Sequence, residues 1–286
     1  MKIKITGSSG YLGQNLVETL TVRGHETSGI DREILYKNDE LLNKTIQDTD
    51  VIINLAGAPI LQRWTKKNKK IIYDSRVKTT HNIIESIKKL PVKNQPKKFL
   101  GASAIGIYEP GTTHTEKSTN YEKGFVGNVV KDWEDASAGI PKNIQRVLFR
   151  IAPVLGKKSA TVKNLMLPFR MGVGGKIGSG KQSFPFVHIE DVINAFVWAV
   201  EDYKKDGVFN LSAPENISNK TFTKTFAEKI NRPAFIPVPG FGLKMIYGDA
   251  AKMLMDSPKV IPQELERAGF KFSYPDIESA LTEILE

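Results

Sequence analysis

The chain has 286 residues, 40% of them apolar, which suits one large globular domain or two joined ones. It contains no cysteine, and its four histidines (His25, His81, His114, His188) are spread too widely for metal-ligand spacing, so disulfides, thiolate chemistry and a metal site are not expected. The net charge of +10 comes from scattered lysines and short runs such as "KKNKK" (66–70) without interleaved aromatics, and no apolar run is long enough for a membrane span, so neither a nucleic-acid nor a membrane partner is expected.

"KIKIT" (2–6) reads as a buried strand, and 11–23 as a helix with Leu12, Leu16, Val17 and Leu20 on one face. The chain enters that strand at once, so no signal peptide and a cytoplasmic location are expected. "HETSGID" (25–31) reads as a second strand, 39–46 as a short helical piece, and "VIINLAG" (51–57) as a third strand. Apolar spacing predicts one long helix over 65–90, carrying Ile71, Ile72, Ile83, Ile84 and Ile87. A strand at 97–103, a helix at 125–138 and a strand at 145–152 follow. Strands alternating with helices predict a parallel sheet with right-handed crossovers and helices on both faces. Glycine and proline punctuate 153–185, after which a helix near 190–202 and a strand at 207–213 return to the sheet. The tail from Pro214 holds a helix near 219–230, then "PAFIPVPGF" and shorter helical pieces. This texture reads as a smaller lobe beside the strand ends, where ligands bind in open α/β sheets.

Gly7, Gly10 and Gly13 form Gly-x-x-Gly-x-x-Gly between the first strand and the first helix. Gly7 suits the tight turn, Gly10 a close pyrophosphate, and Gly13 close helix–sheet packing. The helix N-terminus behind them offers free N–H groups and partial positive charge to a phosphate. Asp31, eighteen positions after Gly13, suits both adenosine ribose hydroxyls and favours NAD, whereas Arg32 suits the 2′-phosphate of NADP or is a plain surface arginine. Small residues in "NLAG" (54–57) suit a third strand that passes close to the cofactor, and equally a tight strand-to-loop turn. The expected fold class is therefore α/β, a Rossmann-like doubly wound parallel sheet with a smaller C-terminal substrate lobe. The sheet domain takes 1–156 plus 184–213, and the lobe 157–183 plus 214–286.

"TGSSGYLG" (6–13), Asp31, "NLAG", the strand leading to Tyr108, "FRIAPVLG" (149–156), "FVHIEDV" (186–192) and "NLSAP" (210–214) follow the order of an extended short-chain dehydrogenase/reductase, which the chain resembles. That class includes nucleotide-sugar epimerases and dehydratases. More narrowly the chain is similar to an atypical branch of epimerase-family proteins, through Leu55–Ile60, Arg63–Thr65, Asp74–Arg76, Ser103–Tyr108, Leu167–Gln182, Pro237–Pro239 and Ala268–Pro275. The resemblance covers nearly the whole chain. It implies an NAD(P) cofactor held by Gly7, Ser9, Gly10, Tyr11, Leu12, Gly13, Asp31, Arg32, Leu55, Ala56, Gly57, Ala102 and Pro153. It also implies a small-molecule substrate, nucleotide sugars included, in a monomer or homodimer. Some members of the branch are labelled cell-division inhibitors.

The wider class uses a tyrosine with a lysine four residues later, plus a serine. None of the eight tyrosines here has a lysine four residues on. Anchoring the helix at 125–137 on Glu134 puts Val126 and Val130 at those places, and a shift by one puts Gly127 and Lys131 there. The serine place falls on Ala104, with Ser103 one residue earlier. Ser103 and Tyr108 are then the catalytic candidates, with packing and capping as their alternative roles. Arg76 is a candidate ligand for a substrate anion, or else the partner of Asp74 or Glu85. Lys181 and Gln182 are candidate substrate ligands or exposed loop residues, His188 fixes the segment before the helix at 190, and Trp64 shapes a pocket or the core. Two functions stay open: an oxidoreductase or epimerase with a non-standard acid–base group, and a non-catalytic dinucleotide-binding sensor or regulator.

Overall fold

Six parallel strands form the central sheet of the computed structural model, which describes residues 1–37, 40–202 and 205–286. In chain order the first half holds β1 (Lys2–Thr6), α1 (Tyr11–Val22), β2 (Glu26–Ile30), α2 (Arg32–Lys37), α3 (Glu40–Ile46), β3 (Val51–Asn54), α4 (Lys66–Tyr73), α5 (Thr79–Lys89), β4 (Lys98–Ala104), β5 (Thr113–His114) and α6 (Phe125–Ala138). The second half holds β6 (Gln145–Ile151), β7 (Val154–Leu155), α7 (Ala160–Arg170), β8 (Val187–His188), α8 (Ile189–Glu201), β9 (Gly207–Leu211), α9 (Asn219–Lys229), α10 (Gly240–Tyr247), α11 (Lys252–Met255), β10 (Lys259–Val260), α12 (Gln263–Arg267) and α13 (Ile277–Leu285). The helical piece expected over 39–46 begins at Asp39, which lies outside the described residues, as does Tyr203.

The sheet order is β2-β1-β3-β4-β6-β9, with every pairing parallel. The chain leaves β1 toward one edge and returns past it to β3, so the order reverses at β1/β3 and opens a crevice at their carboxyl ends. Both faces of the sheet are covered, which is why β3 reads as an unbroken apolar run. Val51 and Ile53 join the core with Leu16 and Leu20 of α1 and Phe196 of α8, while Ile52 faces Ile83, Ile84 and Ile87 of α5.

The long helix predicted over 65–90 departs from uniform α-geometry at Asp74–Lys78, a π-helical turn between α4 and α5. Side chains in this looser turn take up backbone groups. Ser75 Oγ donates to the Ile72 carbonyl at 3.0 Å and accepts from Ala58 N at 2.9 Å, and Thr79 Oγ1 donates to the Ser75 carbonyl at 2.8 Å. Thr65 caps the start of α4 through Asn68 N.

Lys98, in one of the scattered lysine pairs, is fully buried. Its Nζ donates to the carbonyls of Ala199 and Asp202 at 2.5 and 2.7 Å, closing the C-terminus of α8. Burial pulls its pKa down to about 8.

A second core brings together Leu155, Phe169, Phe186, Phe222, Phe226 and Leu281, among others, and defines the lobe. The tail does not belong to that lobe throughout. Val260, Leu265 and Phe270 pack into the sheet core, and β10 pairs with β5. The apolar spacing of this short stretch carried no information about which of the two cores it would join. Among the described residues no helix is long and apolar enough to cross a membrane.

Candidate active site

The glycine turn closes the crevice at the end of β1. Gly7 holds φ +67°, and a Cβ there would stand 3.0 Å from the Leu55 carbonyl oxygen. A Cβ on Gly13 would fall 2.2 Å from the Gly7 oxygen, so only glycine lets α1 come this close. Gly10 precedes α1 without a capping side chain, leaving the helix N-terminus to an incoming anion. Thr6 Oγ1 accepts from the N–H groups of Leu55 and Ala56, both at 3.1 Å, and donates to Asn54 at 2.7 Å. Asn54 continues to Thr80, which also accepts from Trp133 Nε1. This buried chain locks the "NLAG" backbone against the glycine turn and the long helix. Ser9 and Gly10 are exposed, Leu12 is half-buried, Ala102 is buried in β4, and Pro153 is exposed beyond β6.

Asp31 and Arg32 are both exposed just past β2. The Arg32 guanidinium lies 5.6 Å from the Tyr36 ring centroid, and Lys78 Nζ lies 5.9 Å from the same ring. A cation from α2 and one from the π turn at Asp74–Lys78 therefore converge on Tyr36, in the helix that follows Asp31. The half-buried Tyr11 ring packs its hydroxyl over Gly156, where an added Cβ would come within 2.2 Å of it, so the lobe begins directly above the glycine turn.

Arg76 sits in the π turn. Its guanidinium lies 3.1 Å from where a Gly57 Cβ would stand and 5.3 Å from the Trp133 ring centroid. Among the described residues the one hydrogen bond of its guanidinium is a long one, Nη1 to the Ile72 carbonyl at 3.3 Å. The expected acidic partners are engaged elsewhere, Asp74 with Lys70 at 2.6 Å and Glu85 with Lys88 at 2.7 Å. Among the described residues no carboxylate pairs with Arg76, and burial pulls its pKa down to about 10.

Ser103 and Tyr108 come together in a different, buried cluster. Ser103 Oγ donates to Glu134 at 2.5 Å, and Arg150 holds the same carboxylate in a two-pronged pair at 2.8 and 2.7 Å. The Tyr108 hydroxyl accepts from Arg150 Nη1 and donates to Asn210 Oδ1, both at 2.7 Å. Asn210 continues to the Ile261 carbonyl, and its N–H donates to Glu116. Tyr108 is 1% exposed, and burial pushes its phenol above the ordinary range despite the Arg150 charge. That shift is the opposite of what a tyrosine activated by a neighbouring lysine needs. Both hydroxyls are thus occupied by structure. Val126 and Val130 are buried on α6, and Lys131 turns outward to Asp135.

On the lobe, Lys181 is exposed, and the Gln182 amide is spent on the Ile177 carbonyl at 3.1 Å. His188 caps α8, accepting from Glu190 N at 3.3 Å, and contacts Glu283 at 3.0 Å. Trp64 packs edge-on to Phe125 at 5.1 Å. Next to it Arg63 donates to the carbonyls of Met245 and Ile246 at the end of α10. No residue-type pattern in the sequence announces that tie, because it ends on backbone.

Comparison with known proteins gives a consistent picture. The family model described as NAD dependent epimerase/dehydratase family matches residues 3–212, and a domain of unknown function, DUF1731, matches residues 238–284. The chain is 33% identical over 296 residues to the human epimerase family protein SDR39U1, covering all of both chains, and 34% identical over 300 residues to epimerase family protein YfhF of Bacillus subtilis, covering all of this chain and 98% of that one. The crystal structure of human SDR39U1 (isoform 2) with NADPH superposes with a TM-score of 0.92, covering 100% of this chain and 99% of that one. A UDP-glucuronic acid 4-epimerase from Bacillus cereus, in complex with NAD, shares the fold at 20% identity and a TM-score of 0.75, covering 99% and 96%.

Proposed function

The chain belongs to the NAD dependent epimerase/dehydratase family, and on that footing we propose that it binds NADP(H) across the β1/β3 crevice and acts on a small molecule held beneath the C-terminal lobe, with Arg76 facing the reacting groups. The observation that carries this reading is the Arg76 guanidinium, a partly buried cation beside Gly57 with no carboxylate of its own among the described residues. A desolvated guanidinium carries its own electrostatic cost, which an anionic or carbonyl oxygen offsets.

The cradle fits a dinucleotide, because backbone rather than side chain lines it at Gly7, Gly10 and Gly13. The glycine turn would hold the pyrophosphate, and Leu55, Ala56 and Gly57 would pass beside the ribose. Arg32 and Lys78 around Tyr36 set two cations against the one carboxylate of Asp31, which favours a 2′-phosphate. The NADPH in the human relative's structure supports the same choice. When bound, the nicotinamide supplies or accepts a hydride. Arg76 orients the substrate oxygen and stabilises negative charge on it; loss of such a donor typically costs about 100- to 1,000-fold in rate. With its pKa near 10, Arg76 keeps its charge at neutral pH and is not the proton donor. A cytoplasmic monomer or homodimer without nucleic-acid or membrane partners is part of this proposal.

A second reading, a dinucleotide-binding protein without turnover, is favoured by the occupied hydroxyls of Ser103 and Tyr108. The two separate in one experiment. NADPH fluorescence titration is paired with turnover across carbonyl compounds and nucleotide sugars, for wild type, Arg76→Met and Arg76→Lys. The enzyme reading expects cofactor affinity kept within about threefold in Arg76→Met and turnover lowered at least about 100-fold. Cofactor binding without turnover in any wild-type assay selects the second reading, and no binding removes both.

A further inference from the structure

Six large apolar side chains stand exposed on two stretches of the lobe: Leu167, Met171 and Val173 at the end of α7, and Phe241, Met245 and Ile246 on α10. Phe241 and Met245 are each 70% exposed, and α10 buries none of its residues. An apolar helix normally buries a face, so this one lacks its complement. The segment that follows the first stretch adjoins the segment that leads into α10. Val238 N donates to the Lys176 carbonyl at 2.8 Å, Gly178 N donates to the Val238 carbonyl at 3.0 Å, and Gly175 packs on the Ile236 carbonyl.

Their place points to the occupant. The lobe meets the cofactor-bearing domain at two places along these elements. At one, Tyr11 packs on Gly156, just before α7. At the other Arg63, six residues past Gly57, holds the carbonyls of Met245 and Ile246. The exposed groups of α10 thus stand on the element that Arg63 ties back to the segment after "NLAG", and those after α7 adjoin the stretch leading into α10. Their composition is equally specific. Residues 167–173 and 235–247 contain no Ser, Thr, Asn, Gln, Asp, Glu or His, and their only polar side chains are Arg170, Lys244 and Tyr247. A sugar or nucleotide brought here would lose water from its hydroxyls and find few partners for them, a desolvation cost that an apolar body does not carry. Resting on the reading that the crevice holds a dinucleotide, we propose that the substrate is a largely apolar molecule, an aliphatic or aromatic body, and not a nucleotide sugar.

The test uses the full chain, with and without saturating NADP⁺, and 1-anilinonaphthalene-8-sulfonate as the fluorescent probe. Decanoate and UDP-glucose serve as competitors. The expected result is saturable binding of one probe per chain, displaced by decanoate and untouched by millimolar UDP-glucose. In Phe241→Asp/Met245→Asp the probe should bind about tenfold more weakly or worse, while NADPH affinity, read separately by its own fluorescence, stays within twofold. Displacement by UDP-glucose, or probe binding that never saturates, overturns the proposal. Vesicle co-sedimentation on phosphatidylcholine/phosphatidylglycerol that is lost in the double variant also overturns it, in favour of a membrane surface. Doubling of the mass in light scattering that is lost in the variant does so in favour of a second copy. Failure of NADPH to bind is a separate result, which removes the cofactor reading while the probe arms without NADP⁺ still decide the character of this face.

Discussion

Asp31 and Arg32 are sequence neighbours with opposite consequences for a ribose phosphate. The sequence offered both and favoured the carboxylate, because a lone arginine after a strand carries little information. The second cation, Lys78, lies 46 positions away and meets Tyr36 only in the folded chain. Asp31→Ala is expected to weaken NADH by about tenfold and leave NADPH unchanged or tighter, while Arg32→Ala weakens NADPH selectively; equilibrium fluorescence titration of the four combinations checks both. Arg76 was visible as a candidate, but its isolation was not. Asp74 is drawn to Lys70 and Glu85 to Lys88, each one helical turn away on the same face, whereas Arg76 stands two residues from Asp74 and points off that face, so the local pairs leave it without a counter-charge. Ser103 and Tyr108 were chosen for their place at the end of β4 and just beyond it. Their occupation depends on Glu134, Arg150 and Asn210, three residues that no local spacing connects to them.

Elements were the most legible level. Strands buried on both faces read as apolar runs, and α1, α6 and α8 showed their periodicity. The π turn at Asp74–Lys78 escaped because its isoleucines keep a helical spacing on both sides, and one extra residue in the ladder is invisible to that count. Lys98 escaped for a related reason. Strand alternation turns it inward while Lys97 stays exposed, and the composition of "KK" says nothing about alternation. Its pKa, lowered from 10.5 to about 8, sets a testable sign. Between those values the unfolded chain holds the proton and the folded chain has lost it, so this group makes stability rise with pH across that window. The gain is about 3 kcal/mol at most. Denaturant melts of wild type and Lys98→Met at pH 7.5, 9 and 10 are expected to show wild type gaining on the variant as pH rises. A constant difference would show that the amine does not titrate in this window. At pH 7.5 the variant should be less stable by about 1–3 kcal/mol, because the last carbonyls of α8 lose their donor.

At the scale of the whole molecule, the crevice is formed by parts that are distant in sequence: the glycine turn, "NLAG", the π turn and, above them, α7 and α10. Nothing in the lobe's own sequence pattern distinguished the stretch that packs with α13 from the stretch that packs on the sheet, since both are short and apolar. Ligand that bridges these parts stabilises the whole fold by mass action. NADPH at about one hundred times its Kd should add about 2.7 kcal/mol, a rise of about 5 °C in melting temperature, measured by differential scanning fluorimetry with NADH alongside. A rise with NADH equal to that with NADPH at matched concentration would argue against 2′-phosphate recognition.

The hydrogen bond from Asn210 to the Ile261 carbonyl also fixes an order of assembly during synthesis. Ser103, Glu134, Tyr108 and Arg150 leave the ribosome long before the segment that completes their network. The nascent chain holds the strands of the sheet once β9 is made, yet it waits a further fifty or so residues, until Ile261, to close the polar cluster at the strand ends. A premature stop shortly before codon 261 therefore spares every glycine of the cofactor turn, yet it removes the Ile261 carbonyl together with Leu265 and Phe270 of one core and Ile277, Leu281 and Ile284 of the other, so such nonsense mutations should behave as loss-of-folding alleles rather than as mild truncations.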